Sequence, residues 1–282
     1  MSQPRKTSTM RASSPPPTVE DRRAALRERF ADAAGALLCL DFDGTLAPIV
    51  DQPDEAAMAP DCRSLVGSLA EDPSVDVAVI SGRAIDDLRG RVDVDGVVYA
   101  GNHGLELQRR DQTEIVPEAD EQRDAIDDVC AEIEAATESI PGAHVEHKGV
   151  TATVHYRQVS EKRVPEVVEA VDASVADVAV GMDATGEPFE VLAGKQIREI
   201  RPRVDWDKGR VVELLAEDVP DDWDVVYVGD DTTDEDAFEV VEPRGLGVAV
   251  GDDPDTVASV RVRDQDGVAD FLELLAEELA SD

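Results

Sequence analysis

Short unbroken apolar runs alternate with amphipathic stretches through most of the chain. The runs at 36–40 (Ala-Leu-Leu-Cys-Leu), 75–80, 97–100, 225–228 and 246–250 read as strands buried on both faces. Stretches at 20–34, 60–71, 84–91, 208–216, 235–241 and 268–279 read as helices, and 260–262 as a short strand. Strands alternating with helices in this way predict a parallel sheet covered on both faces.

The alternation lapses between 105 and 200. There the sequence predicts a polar hairpin at 105–116, a long helix at 119–139 and a helix at 160–173. Strand-like segments are predicted at 144–146, 151–157, 178–182, 188–192 and 196–200. The expected fold is therefore α/β, with a Rossmann-like parallel-sheet core split by an inserted α+β domain. The core is placed at 19–107 and 201–282, the insertion at 108–200, and a polar Pro/Ser-rich tail at 1–18 is expected to be disordered. At roughly 150 residues per domain, 282 residues fit one large domain or two modest ones.

Charge narrows the possibilities. Lys+Arg number 27 and Asp+Glu 64, a formal net charge of −37. Such a surface repels nucleic acid and anionic membranes. No apolar run approaches the ~18–20 residues of a membrane span, and 1–20 lacks the apolar stretch of a secretory signal, so a cytoplasmic protein is expected. Hydrophobic residues make up 42 % of the chain and aromatics 4 %, so Ala, Val and Leu must build the core. Only five of the 27 basic residues are lysine. Acid-rich, Lys-poor, Ala/Val-rich composition resembles that of proteins from salt-in halophiles, whose surface repulsion is screened because the Debye length is about 3 Å at ~1 M salt, the alternative being an acidic mesophilic protein. Cys39, Cys62 and Cys130 form no CxxC pattern and no disulfide framework.

Four motifs carry chemistry. Seven Asp-x-Asp pairs occur among 38 Asp, against about five expected by chance, so the pair alone is uninformative. Asp41-Phe42-Asp43-Gly44-Thr45 differs because it directly follows a buried strand, where open α/β sheets bind ligands. No Glu closes it at the spacing an EF-hand needs. Ser81-Gly82-Arg83 ends the second buried strand and opens a helix, a turn able to offer its hydroxyl and backbone N–H groups to a phosphate. Lys208 starts a helix, where the macrodipole disfavours a cation, which suggests that its amine is needed for an anion. Gly229-Asp230-Asp231-Thr232-Thr233-Asp234-Glu235-Asp236 follows another buried strand. Its crowded carboxylates repel one another unless a cation sits among them, and hard oxygen ligands point to magnesium.

In this order the four motifs resemble the haloacid dehalogenase superfamily of phosphotransferases. The inserted module falls where that superfamily places its larger caps. Finer phrases resemble the trehalose-6-phosphate phosphatases: Gly101-Asn102-His103-Gly104, with the only asparagine in the chain, then Val145-Glu146-His147-Lys148-Gly149, Val154-His155-Tyr156-Arg157, Gly194-Lys195, Glu199-Ile200-Arg201-Pro202 and the GDDTTDED phrase. His147 stands where that family more usually has Asp. No P-loop or GxGxxG pattern competes.

The resemblance implies a magnesium-dependent phosphatase that hydrolyses trehalose 6-phosphate through an aspartyl-phosphate. It implies Asp41 as nucleophile and Asp43 as the acid that protonates the leaving sugar oxygen and then activates water. Magnesium would be held by Asp41, the main-chain carbonyl of Asp43 and Asp230, with Asp231 or Asp234 in the outer coordination shell. Ser81 and Lys208 would bind phosphoryl oxygens, and Gly82 and Arg83 would also bind substrate. Asn102 and His103, and the cap residues Glu146, Lys148 and Glu199, would bind substrate, and cap closure would exclude water. The implied partner is a small sugar phosphate, with a functional link to a trehalose-6-phosphate synthase. Phosphatases of similar build that act on sucrose phosphate or mannosylglycerate phosphate, a phosphomutase, and a non-catalytic sugar-phosphate-binding regulator stay open at this point. The cap phrases favour trehalose 6-phosphate, and intact Asp41 and Asp43 favour an enzyme.

Overall fold

The computed structural model describes residues 14–50, 53–110, 112–182, 187–194 and 196–279. The elements run α1 (Val19–Asp32), β1 (Ala36–Asp41), α2 (Pro60–Glu71), β2 (Val75–Ile80), α3 (Ile85–Val92), β3 (Val98–Gly101), β4 (Glu106–Arg109) and β5 (Gln112–Ile115). They continue with α4 (Pro117–Asp120), α5 (Arg123–Thr137), β6 (His144–His147), β7 (Ala152–His155), α6 (Val164–Gly181), β8 (Phe189–Gly194) and β9 (Ile197–Pro202). The chain then forms α7 (Lys208–Ala216), β10 (Asp224–Gly229), α8 (Glu235–Val241), β11 (Leu246–Val250), β12 (Val260–Val262) and α9 (Gln265–Leu279). Two compact units result. One is the described part of Met1–Ser81, Arg89–Tyr99 and Asp207–Asp282, and the other is Gly82–Leu88 with Ala100–Trp206.

In the first unit the strand order is β12-β11-β10-β1-β2-β3. β1 pairs in parallel with β10 on one side and β2 on the other, and β10, β11 and β12 are parallel in turn. Every residue of β1 is buried, as its unbroken apolar run requires of a central strand. Aromatic packing contributes to this core, where Phe30 of α1 meets Phe271 of α9 edge-on at 6.2 Å. Aliphatic side chains such as Leu38, Leu40, Ile80 and Val228 fill the rest, each contributing about 1.5–3 kcal/mol on burial. Cys39, Cys62 and Cys130 are buried free thiols. No helix among the described residues is long and apolar enough to cross a membrane.

Residues 1–13 of the expected tail lie outside the described residues. Pro16 to Thr18, expected in that tail, are instead held. The carbonyls of Pro16 and Pro17 accept from Arg261, and Thr18 caps α1 in a reciprocal capping box with Asp21.

The second unit carries the β4–β5 hairpin and an antiparallel sheet of order β6-β7-β9-β8, backed by α5 and α6. The long helix expected at 119–139 is two, α4 and α5, broken between Asp120 and Arg123. The strand expected at 178–182 is instead the end of α6 with its cap, Met182. Its β-branched run invited a strand assignment, but Val164, Val167, Val171, Val175, Val178 and Met182 recur every three or four residues. They face one cluster with Ile126, Ile133 and Val154, while Val180 points outward. Packing period overrides β propensity here. This unit begins upstream of 108, because the Asn102 side chain ties the chain after β3 to the β6–β7 turn.

Candidate active site

Strand register assembles the first group of side chains. Asp41, the last residue of β1, pairs with Ile80, so Ser81 lies one step beyond it at the same sheet edge. Leu40 pairs with Val228, which brings Asp230 to that edge from the other side. Three loops thus converge at the C-terminal ends of central parallel strands.

The loop after β1 turns tightly. Gly44 N–H donates to the Ala47 carbonyl at 2.7 Å, and Ala47 N–H to the Phe42 carbonyl at 2.8 Å. Gly44 sits at φ +92°, and a Cβ there would stand 2.0 Å from Asp230 Oδ2, so only glycine fits. Asp43 is half-buried within this turn and bridges to Ala47. The buried Thr45 hydroxyl has no hydrogen-bond partner among the described residues, and Gln265 Nε2 donates to the Gly44 carbonyl.

Lys208 is the hub of the site. It is the first residue of α7, whose N-cap Asp207 accepts from Arg210 N–H at 2.9 Å. Its Nζ donates to Asp41 Oδ1 at 2.8 Å and to Asp234 Oδ1 at 2.6 Å, with all three side chains buried. Burial by itself would lower the Lys208 pKa, but Asp41 and Asp234 hold it above the ordinary lysine value. Asp234 accepts four hydrogen bonds: Lys208 and Tyr227 OH on Oδ1, and the Asp230 and Asp231 backbone N–H groups on Oδ2. Asp231 turns its carboxylate to Thr232, as the cap of a short 3-10 helix.

Carboxylate oxygens of Asp41, Asp230 and Asp234 lie within 4.8 Å of one another. One ammonium faces three carboxylates, and the buried Asp230 Oδ1 has no hydrogen-bond partner among the described residues. Burial, opposed by Lys208 and compounded by Asp234 and Asp230, raises the Asp41 pKa well above the usual carboxylate range. Burial, then Asp234 and Asp231, push Asp230 up to about 7. This excess of negative charge, an unpartnered oxygen and an all-oxygen donor set fit a divalent cation of the hard class.

The second unit gathers a different group. Gly82 lies against His103, and a Cβ on it would come 2.3 Å from His103 Nε2. Lys148 Nζ donates to the Gly82 carbonyl at 3.2 Å. His103 Nε2 lies 3.1 Å from Glu199 Oε1, and Arg201 Nη2 donates to Glu199 Oε2 at 2.5 Å. Burial works against ionising Glu199, but His103 and Arg201 hold its carboxyl well below the usual range. Glu146 pairs with His155 Nε2 at 2.8 Å, and that bond with the nearby Lys148 charge outweighs burial and lowers its pKa. His147 instead faces exposed Asp127 at 2.5 Å. Arg83 pairs with Asp87 at 2.8 Å. Lys195 lies outside the described residues.

Asn102, expected to bind substrate, is fully occupied within the protein. Its Nδ2 donates to Glu106 Oε2 and the Lys148 carbonyl, both at 2.8 Å, and its Oδ1 accepts from Thr151 at 2.7 Å. At φ +50° it also takes a backbone conformation that Asn tolerates better than most residues. The asparagine therefore orients the turn that carries Lys148. The sequence reading passed over Tyr227, Gln265, Glu106, Thr151 and the partner role of Arg201. For Tyr227 one signal existed: a hydroxyl inside a strand buried on both faces must find a partner.

The parallel sheet with an α+β insertion is a fold shared with solved haloacid dehalogenase-like hydrolases. One such hydrolase, from Bacteroides thetaiotaomicron, matches at TM-score 0.57 and 15 % identity over 85 % of this chain and 98 % of its own, a likeness of fold alone. The family is narrower: a trehalose-phosphatase family model matches residues 39–269, and the chain belongs to that family. Trehalose-phosphate phosphatase B of Arabidopsis thaliana is 35 % identical over 257 residues, 86 % of this chain and 66 % of that protein. The C-terminal domain of C. albicans trehalose-6-phosphate phosphatase superposes at TM-score 0.71 with 26 % identity, over 94 % of this chain and 99 % of that one. The chain spans 61 % to 67 % of the length of the curated relatives it matches first.

Proposed function

We propose that this protein is a magnesium-dependent phosphatase that hydrolyses trehalose 6-phosphate to trehalose and phosphate through an aspartyl-phosphate. The observation that carries the reading is the buried Asp41–Lys208–Asp234 array beside the unpartnered Asp230 oxygen, in a chain of the trehalose-phosphatase family. Asp41, the Asp43 main-chain carbonyl and Asp230 would hold magnesium, which would supply positive charge against the phosphoryl oxygens. Asp234 has both oxygens saturated by protein donors, so it supports the cation site from behind rather than binding the ion directly.

Asp41 attacks phosphorus, an Asp41 O–P bond forms, and the sugar O–P bond breaks as Asp43 gives its proton to the leaving oxygen. Asp43, now a carboxylate, takes a proton from the water that attacks the aspartyl-phosphate, which releases phosphate and restores Asp41. Lys208 has three N–H bonds, of which Asp41 and Asp234 use two; the third reaches a phosphoryl oxygen, and Ser81 offers a second donor. The second unit supplies specificity, with Glu146, Lys148 and Glu199 binding sugar hydroxyls. The acidic composition is an adaptation to a salt-rich cytoplasm, and a synthase that makes trehalose 6-phosphate supplies the substrate.

The test is a panel of phosphate esters with purified protein and magnesium. Trehalose 6-phosphate is expected to be turned over well ahead of sucrose 6-phosphate, mannosylglycerate phosphate and p-nitrophenyl phosphate. Preference for one of the others would replace the substrate, and phosphate binding without release would leave a regulator. In the same assay Glu146→Ala or Lys148→Ala is expected to lower kcat/KM for trehalose 6-phosphate about 10- to 100-fold, the cost of one charged hydrogen bond. The small aryl ester, which has no sugar to bind, is expected to change less than about twofold. Equal losses on both would assign these residues to folding.

A further inference from the structure

We propose that Tyr227 is a positioning residue for the phosphatase chemistry, its buried hydroxyl fixing Asp234 so that Lys208 is shared with Asp41. The proposal rests on the phosphatase reading above. Tyr227 lies in β10 among Val225, Val226 and Val228, and it is wholly buried. Its ring meets Phe238 of α8 edge-on at 5.5 Å, which holds the hydroxyl in place. That hydroxyl donates to Asp234 Oδ1 at 2.6 Å, and Lys208 Nζ donates to the same oxygen at 2.6 Å.

Two donors on one oxygen divide its charge between them. With the Tyr227 hydroxyl present, Asp234 is partly satisfied without Lys208, and the ammonium also holds Asp41 at 2.8 Å. Without the hydroxyl, Asp234 Oδ1 would keep Lys208 as its only donor in a site that excludes water. Asp234 would then draw the ammonium toward itself and away from Asp41 and the phosphoryl group. The Tyr227 hydroxyl hydrogen-bonds to Asp234, and Asp234 to Lys208, so it acts on the site through that pair.

Tyr227→Phe keeps the ring and its packing and removes one oxygen atom. We expect kcat on trehalose 6-phosphate to fall about 10- to 100-fold, the usual cost of losing a residue that orients such a site. KM is expected to stay within about twofold, because Tyr227 reaches no substrate group. Turnover is normalised to the folded fraction measured by near-UV circular dichroism in the same samples, so a loss of stability does not pass for a loss of chemistry. In an Asp234→Asn background, adding Tyr227→Phe is expected to change kcat less than about twofold, since residues of one network do not add. Unchanged kcat in Tyr227→Phe, a loss confined to KM, or losses that multiply in the double variant would each overturn the proposal. A wild-type chain that releases no phosphate from any ester would instead sink the phosphatase reading, and this proposal with it.

Discussion

Asp41→Asn is expected to abolish turnover, by at least about a thousandfold in kcat, while leaving the fold intact. An amide cannot attack phosphorus, so no aspartyl-phosphate forms. The substitution is otherwise mild. The amide oxygen still accepts from Lys208 Nζ, which donates to Asp41 Oδ1 at 2.8 Å in the native chain. It also relieves a buried carboxylate whose ionisation burial already opposes. The melting temperature is therefore expected to stay within a few degrees of wild type. Acid quenching of wild type during turnover of labelled substrate should trap an acid-stable, hydroxylamine-labile phosphoenzyme, and the variant should trap none. Near-wild-type phosphate release from Asp41→Asn would remove Asp41 as nucleophile.

The second large effect expected is that of salt. A net charge of −37 presses on the folded state wherever like charges face one another. The exposed faces of the helices are acidic: α5 carries Asp124, Asp127, Asp128, Glu132 and Glu134, with Arg123 as its only basic residue. Raising KCl from ~0.1 M to ~2 M shortens the Debye length from about 10 Å to under 3 Å, so the repulsion survives only at contact. The melting temperature is expected to rise on the order of 10 °C across that series, with activity rising beside it. At low salt, magnesium should restore part of the loss. A ligand present at 100 times its Kd stabilises the native state by about 2.7 kcal/mol. Asp230→Asn should remove the magnesium effect and leave the KCl effect, because the two act at different places. A melting temperature flat or falling with KCl would show that the acidic surface is no adaptation to salt, without touching the site assignment.

The two expectations draw on different depths of the sequence. Surface charge is a sum, and order along the chain hardly matters to it. The central strands were equally open to reading. A run such as Ala36 to Leu40 can be buried on both faces in only a few architectures, and Asp41 at its end must then emerge at the sheet's edge. For that reason the α/β class and the strand-end positions of Asp41, Ser81 and Asp230 were legible without coordinates. Lys208 was legible through an anomaly, a rare lysine at the end of a helix that repels it.

What tertiary structure alone decided is how side chains far apart in sequence share one another's hydrogen bonds. Asp231 and Asp234 are equivalent as letters, yet one caps a turn and the other is buried under four donors, because only the second points back beneath β10. Asn102 stands out as the lone asparagine, but composition could not say whether it faces substrate or, as found, ties Glu106, Lys148 and Thr151 together. The segment 178–182 has the residues of a strand and the packing of a helix, and the neighbours it meets settled the matter. The Tyr227 hydroxyl, inside a core strand, calls for a partner in the sequence, but that the partner is Asp234 emerges only from the fold. Local propensity and burial are properties of a segment and can be read along the chain, whereas partnership depends on distances that only the folded chain creates.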